Sequence, residues 1–136
     1  MRDIAVVGSL NVDVSVRVPR FVRPGETLRA NGLELGAGGK GVNQAIAAAR
    51  LGGRVHLVGR VGADEFAEIP LRALREAGVD ATHVEMGVGE RTGMALITVD
   101  EQTGQNQIAV AAGANRAVTV AHVRDAVTVF RASGVL

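Results

Sequence analysis

The stretch that decides the fold is Gly36–Gly62, GAGGKGVNQAIAAARLGGRVHLVGRVG, which joins a glycine-rich loop to an alanine-rich segment and a β-branched run. Glycines let the loop backbone adopt positive φ and approach a ligand without interference from Cβ atoms. The alanines favour a helix over 42–51 that points its N-terminus into the loop, and 54–58 favours a buried strand. Together with a first strand at 4–7, this segment predicts a β-α-β unit carrying a ligand-binding loop.

Two common glycine loops do not fit this segment. The spacing of Gly36, Gly38 and Gly41 satisfies G-x-G-x-x-G, but a dinucleotide-binding loop must directly follow the first strand, which lies far upstream. A Walker A loop needs Ser or Thr after Gly-Lys, whereas Gly41 follows Lys40. Lys40 is the only lysine among 15 basic residues, which favours a specific role over the solvated charge that is usual for lysine.

Composition narrows the class of partner. The net charge is +1, with 21% charged residues and no basic run, so we expect neither a nucleic-acid nor a membrane partner but a small molecule. Cysteine is absent, which excludes disulfides and is compatible with a cytoplasmic location. The three histidines have no metal-ligand spacing, so no metal site is expected. Apolar runs are short, and neither a signal peptide nor a membrane span is predicted.

The remaining pattern predicts one α/β domain. Apolar and polar residues alternate over 12–18, and a strand over 27–35 is expected to return as its partner. Further predicted elements are a helix over 64–77 that Pro70 kinks or restarts, a hairpin of 92–99 with 105–111, and a helix over 119–131 capped by Thr119. The last residues, from Gly134, resemble the start of a buried strand, so the chain is expected to be truncated.

The residues Gly38–Ala45, followed by Gly52 and Gly62, resemble the first signature of the PfkB carbohydrate-kinase family, in particular its ribokinase branch. Four further motifs extend the resemblance along the chain: Val7–Asp13, Pro24–Thr27, Thr92–Ile97 and Ala112–Asn115. The resemblance implies a ribokinase-like, Rossmann-type three-layer α/β/α fold with a small β-sheet lid. Residues 1–136 would be its N-terminal sugar-binding part, with lid strands at about 13–18, 27–35, 92–99 and 105–111.

The same resemblance locates the chemistry outside this chain. The family's catalytic Asp, anion hole, nucleotide pocket and cation loop lie in a C-terminal half that has no match here, so no catalytic residue is expected in these 136 residues. ATP, Mg²⁺ and a monovalent cation such as K⁺ are implied as cofactors and would be bound mainly by that half. The chain alone is therefore expected to be inactive.

Eight residues are candidate sugar contacts. Asn11 and Asp13 follow the first strand and share one face of an extended chain, although both residue types are also common in turns. Asn43 could cap the helix or bind a ligand. The resemblance assigns sugar contact to Gly39, Lys40 and Asn43 as well. It also implies an apolar wall, for which ordinary core packing is the alternative, formed by Ala95, Ile97 and Val110.

The resemblance implies phosphorylation of D-ribose at O5 by ATP. A kinase of fructose, deoxyribose or adenosine and a non-catalytic sugar-binding or dimerising fragment remain as alternatives. In the family the lid strands pair with those of a second subunit, so a homodimer through the lid is implied. Asp64 and Glu65 are attributed to a helix N-terminus rather than to acid–base chemistry.

Overall fold

A computed structural model describes residues 3–136 and contains two four-stranded sheets. The strands are β1 (Asp3–Val7), β2 (Asn11–Val18), β3 (Leu33–Gly38), β4 (Val55–Gly62), β5 (Asp80–Gly87), β6 (Gly93–Asp100), β7 (Asn106–Ala111) and β8 (Ser133–Val135). The helices are α1 (Lys40–Arg50), α2 (Glu68–Glu76), α3 (Val120–Asp125) and α4 (Val127–Ala132), and Gly113–Ala117 forms a 3-10 helix. No helix in this part of the chain is long and apolar enough to cross a membrane.

The central sheet is parallel, in the order β5-β4-β1-β8. The face of its middle strands that α1 and α2 cover is apolar. Val55 and Leu57 of β4 are fully buried in one cluster with Val42 and Ala45 of α1 and Leu74 of α2. The predicted β-α-β unit is therefore confirmed, with α1 and α2 on one face of the sheet.

On the opposite face, α3 contacts the sheet through His122. The side chain of His122 in α3 lies against β5, where its Nε2 is 3.1 Å from the carbonyl oxygen of His83 and its Nδ1 is 3.7 Å from Glu85. Glu85 pairs with Arg60, and strand alternation places Arg60 on the face opposite Leu57. Helices thus lie on both sides of the sheet, which confirms the three-layer α/β/α expectation.

The second sheet has the order β3-β2-β6-β7. β2 pairs antiparallel with β3 and parallel with β6, and β6 and β7 form the predicted hairpin. β3 begins at Leu33 and continues to Gly38, so the predicted range 27–35 was wrong at both ends. Gly36 and Gly38 were attributed to a loop, but they pair with Asp13 and Asn11 as strand residues.

The second helix differs from its prediction. It begins at Glu68 rather than Asp64, and the Asp64 carboxylate instead accepts hydrogen bonds from the backbone N–H groups of Phe66 and Ala67 in the preceding turn. Pro70 is the third residue of α2, within the first turn, where a backbone N–H has no partner inside the helix. Of the two effects predicted for Pro70, a kink or a restart of the helix, no kink is seen, but α2 does start only two residues before Pro70, after the turn that Asp64 holds.

Two further differences lie in the second half of the chain. The predicted final helix is broken at Ala126 into α3 and α4, although Thr119 caps its start as expected by accepting from the N–H of His122. β8 pairs with β1, but its Val135 is exposed, so the expectation of burial was wrong.

Strand β5 had no counterpart among the predicted elements. One face of this strand carries Asp80 and Glu85, whose partners are His56 and Arg60 of β4. These polar residues interrupt the alternation of apolar and polar residues from which a strand is predicted, so β5 was not predicted.

Candidate functional site

The site begins where β1 ends and α1 starts. A Cβ atom built on Gly8 would lie 2.6 Å from the Cα of Gly41, and one built on Gly41 would lie 2.6 Å from the carbonyl carbon of Gly8. Only glycine permits this approach of two backbones, because real Cβ atoms do not come so close. The N-terminus of α1 therefore sits directly on the carboxyl end of β1.

Ser9 ties the two elements together. Its hydroxyl accepts from the backbone N–H of Lys40 at 3.1 Å, and its carbonyl accepts from that of Val42 at 3.2 Å. Gly39 is the N-cap residue of α1, at φ 94°, and it has no side chain to supply a cap. Two N–H groups of the first turn are thus satisfied by Ser9, and Asn43 does not serve as the cap that was one of its two predicted roles.

An open cleft of about 320 Å³ lies between this helix start and the second sheet. Its twelve lining residues are Ser9, Asn11, Asp13, Gly39, Lys40, Asn43, Ala95, Ile97, Ile108, Val110, Ala112 and Asn115. All eight residues predicted from the sequence as sugar contacts are among them. Their binding role stays a prediction, but the fold brings them to one place.

Asp13 supplies the negative charge of the cleft. Its carboxylate is half-buried beside Gly38, where any Cβ atom would overlap the carboxylate. In the described range 3–136, no hydrogen bond to this carboxylate is formed. Burial raises the pKa of Asp13 above its ordinary value, because no donor compensates the lost hydration. An acceptor kept in this state is suited to a ligand that brings its own O–H donors.

Asn11 supplies an amide two residues from Asp13 on the same face of β2. It is buried, and its Oδ1 accepts from Nδ2 of Asn115 at 2.9 Å. Lys40, exposed at the start of α1, is the one basic side chain among the residues that line the cleft. The polar side of the cleft therefore combines a carboxylate, amides and one cation.

The apolar side of the cleft follows from strand register. Ala95 pairs with Val110 and Ile97 with Ile108, so these four side chains share one face of the β6–β7 hairpin. Asp13 pairs with Ala95 on that same face. A ligand in the cleft would contact a carboxylate on one side and aliphatic carbon on the other. Such a combination fits a sugar, which has both hydroxyl groups and C–H surfaces.

Four lining residues were not predicted as contacts: Ser9, Ile108, Ala112 and Asn115. Ile108 could have been found from its spacing of two from Val110, which puts both on one face of a strand. Ser9, Ala112 and Asn115 lie inside motifs that carried the family resemblance, but nothing in their residue types indicates a contact. A second cavity of about 210 Å³ adjoins the cleft and shares Ser9 and Asn115 with it.

Asp64 has a structural role rather than a place in the cleft. Asp64 accepts from the backbone N–H of Thr92 at 2.8 Å and from its hydroxyl at 2.7 Å, in addition to its two bonds within the turn. Burial acts to raise the pKa of Asp64, but these hydrogen bonds together hold it below its ordinary value. Neither Asp64 nor Glu65 lines the cleft.

Metal ligation finds no support in the described residues. Within residues 3–136, no group of three or more His, Cys, Asp and Glu side chains could hold a metal ion. His56 lies between two carboxylates, 3.1 Å from Asp3 and 3.0 Å from Asp80, at the end of the central sheet away from the cleft. Its ring nitrogens are engaged in that pairing.

A parallel α/β/α domain with a polar and apolar cleft at the carboxyl end of its strands belongs to the class of proteins that bind small molecules. The family model of the pfkB carbohydrate kinases matches residues 1–135. The chain therefore belongs to the PfkB family of carbohydrate kinases.

Named relatives agree with this assignment. Ribokinase of Haemophilus influenzae is 40% identical over 124 residues, covering 91% of this chain and 40% of the relative. Deoxyribokinase of Salmonella typhi is 40% identical over 114 residues, covering 84% of this chain and 37% of the relative. The chain thus spans about two fifths of the length of these two relatives.

Solved structures show the same architecture. Arabidopsis thaliana ribokinase, complexed with ribose and ATP, superposes with a TM-score of 0.87 at 35% identity, covering 98% of this chain and 44% of that structure. The expected partial ribokinase-like fold is confirmed by this similarity.

The half-buried aspartates Asp13 and Asp64 are expected to respond oppositely to loss of charge. Asp13→Asn should leave the free energy of unfolding at pH 7 unchanged or raise it, because the folded state disfavours the ionised Asp13. Asp64→Asn should lower that free energy by about 1–3 kcal/mol, because backbone donors lose a charged acceptor. Urea unfolding of both variants at pH 7 measures this difference.

The pH dependence of the same measurement has a definite sign. The stabilisation by Asp64 is present above the ordinary carboxyl pKa and is lost as pH falls through its lowered folded pKa. The cost of ionised Asp13 is present above its raised folded pKa and disappears as pH falls through that value. A strongly destabilised Asp13→Asn variant at pH 7 would mean that Asp13 forms structure rather than a binding site.

Proposed function

We propose that this chain forms the sugar-binding part of a kinase that transfers the γ-phosphoryl group of ATP to O5 of D-ribose. The observation that carries the proposal is the meeting of all eight predicted contacts in one cleft. Membership of a carbohydrate-kinase family and similarity to ribokinases support this function. Because the chain spans about two fifths of those relatives, the activity is proposed for the protein that contains it.

In this proposal the polar side of the cleft binds the sugar hydroxyls and the apolar side contacts its C–H surface. Asp13 accepts hydrogen bonds from sugar hydroxyls, and these charge-assisted bonds replace the hydration that burial removed. Asn11 and Asn43 add amide groups, and the backbone at Gly39 lets the sugar approach closely. Ala95, Ile97 and Val110 cover aliphatic C–H surface and exclude water. Together these residues would hold the sugar in one orientation, which is the main contribution a binding half can make to phosphoryl transfer.

When bound, ATP would supply the phosphoryl group, with Mg²⁺ and K⁺ as the family's implied metal ions. The donor sets of residues 3–136 do not fit a metal site, so we assign no metal contact to this chain. We also assign it no catalytic base, since the acidic residue that lines the cleft, Asp13, is placed for binding hydroxyl groups. Lys40 is the lining residue with a positive charge, and it is exposed.

A second candidate substrate is 2-deoxyribose. The observation that favours it is the deoxyribokinase relative, whose identity to this chain, 40%, equals that of the Haemophilus influenzae ribokinase. The two sugars differ by one hydroxyl, and a carboxylate that loses a hydroxyl donor remains buried without a partner. Ribose is therefore preferred in our proposal, because the acceptor capacity of Asp13 is better filled by more hydroxyl groups.

We also propose that the protein associates as a homodimer through the second sheet. On the face turned away from Asp13, Leu35, Val14 and Leu96 lie side by side across three strands. Leu35 is 53% exposed and Leu96 is 54% exposed. A row of exposed aliphatic side chains on a sheet is usually covered by association, and a second copy of the chain carries the same row.

The kinase proposal predicts a substrate order. The protein expressed from the complete reading frame that contains this chain should have the highest kcat/KM for D-ribose, compared with 2-deoxyribose, fructose and adenosine. A preference of tenfold or more, about 1.4 kcal/mol of transition-state discrimination, for any other member of this panel would contradict the proposal. Coupled ADP-release assays at several sugar concentrations provide the values.

Asp13→Asn tests in the same assay whether Asp13 belongs to the sugar site. The substitution keeps the side-chain volume but replaces one acceptor oxygen with a donor. We expect a loss of roughly 2–4 kcal/mol in kcat/KM for ribose, with an unchanged KM for ATP. Equal losses for both substrates would place Asp13 outside the sugar site.

The dimer proposal predicts a change of mass in solution. The wild type should sediment as a dimer, and Leu96→Glu should shift it towards monomer, because a charge would be buried in the apolar row. Leu51→Glu is the matched control, since Leu51 is also exposed but lies after α1, outside the second sheet. A monomeric wild type at micromolar concentration, or equal effects of both variants, would refute the proposal.

A further inference from the structure

Asn115, in the 3-10 helix, binds the connection between β1 and β2. Its Oδ1 accepts from the backbone N–H of Leu10 at 2.9 Å. Its Nδ2 lies 3.1 Å from the carbonyl oxygen of Leu10 and 2.8 Å from that of Ala112. The backbone partners can act in only one way, since an N–H donates and a carbonyl accepts. The orientation of the Asn115 amide is therefore fixed by the main chain.

This fixed amide in turn fixes Asn11. Nδ2 of Asn115 lies 2.9 Å from the side-chain oxygen of Asn11, and at this position Asn115 presents only N–H. Asn11 must therefore turn its oxygen towards Asn115. Its own NH₂ group is left for the cleft, which Asn11 also lines.

Gly93 leaves the space for this pair. A Cβ atom at Gly93 would overlap both Oδ1 of Asn11 and Nδ2 of Asn115. β6 thus passes directly over the hydrogen bond, and Asn11 is buried there. An amide held from one side by Asn115 and covered by Gly93 has little freedom to rotate its oxygen into the cleft.

We infer that Asn115 is a positioning residue, which holds the Asn11 amide as a hydrogen-bond donor to the ligand. The cleft then presents a donor at Asn11 and an acceptor at Asp13, and a hydroxyl group satisfies both because it accepts and donates. The ligand class selected is a polyol whose hydroxyls reach both residues. This inference rests on the proposed function, whose sugar it describes more closely.

A double-mutant cycle in the protein from the complete reading frame tests the inference. Asn115→Ala should raise the KM for D-ribose at least about tenfold and leave the KM for ATP unchanged. In an Asn11→Ala background the same substitution should change the ribose KM by no more than about twofold, because its effect passes through Asn11.

The matched control uses Asn43, another lining asparagine, on the first turn of α1. In an Asn43→Ala background, Asn115→Ala should retain its full effect on the ribose KM. Equal effects in all backgrounds, or a lower melting temperature with an unchanged ribose KM, would overturn the inference. A wild type that is inactive on ribose but active on another sugar would contradict the proposed function instead, and the cycle would then be measured with that sugar.

A measurement on the wild type covers the case in which Asn115→Ala does not fold. With ¹⁵N-asparagine labelling and no sugar present, the side-chain NH₂ of Asn11 should be as rigid as the backbone in ¹⁵N relaxation. The NH₂ of Asn43, which is exposed, should be more mobile. An Asn11 amide as mobile as that of Asn43 would show that Asn115 does not hold it.

Discussion

The contact between the backbones of Gly8 and Gly41 is the constraint on which the cleft depends. It brings the first turn of α1 onto the end of β1, so that Ser9 can bond to Lys40 and Val42 across the junction. Gly39 can then turn the chain at positive φ from β3 into α1. A side chain at either Gly8 or Gly41 would push the helix away from the strand, and the residues contributed by α1 would leave the cleft.

A second requirement is that the two sheets keep a fixed position relative to each other, because the cleft lies between the second sheet and the start of α1, which packs on the central sheet. The link from β1 to β2 is only three residues long, Gly8–Leu10, and Leu10 is fully buried in the core of the central sheet. Asn115 bonds to both backbone groups of Leu10 and to the side chain of Asn11. The first residues of β2 are thus anchored at the junction, and Asp13 follows two residues later on the cleft face. The positions of Asn11 and Asp13 in the cleft are therefore fixed by their attachment to a packed core.

Much of this arrangement could be predicted from the sequence, and the failures have physical causes. The β-α-β unit and the β6–β7 hairpin follow from local periodicity, and the family resemblance identified eight of the residues that meet in the cleft. Gly36 and Gly38 were misassigned because glycine suggests a loop, whereas both are strand residues here and Gly38 makes room for the Asp13 carboxylate. β5 was missed because its polar face pairs with His56 and Arg60, and such long-range pairs leave no periodic signal. The role of Asn115 depends on contacts across more than 100 positions, which no local pattern encodes.

We have proposed that this cleft binds D-ribose with Asp13 as acceptor and Asn11 as donor. A crystal structure of the protein from the complete reading frame, soaked with D-ribose in the absence of ATP, would reveal where the sugar lies. We expect sugar hydroxyls within about 3.2 Å of the Asp13 carboxylate and of the Asn11 amide nitrogen, with the ring against Ala95 and Ile97. Ribose bound outside the cleft, or bound in it without contact to Asp13, would refute this proposal.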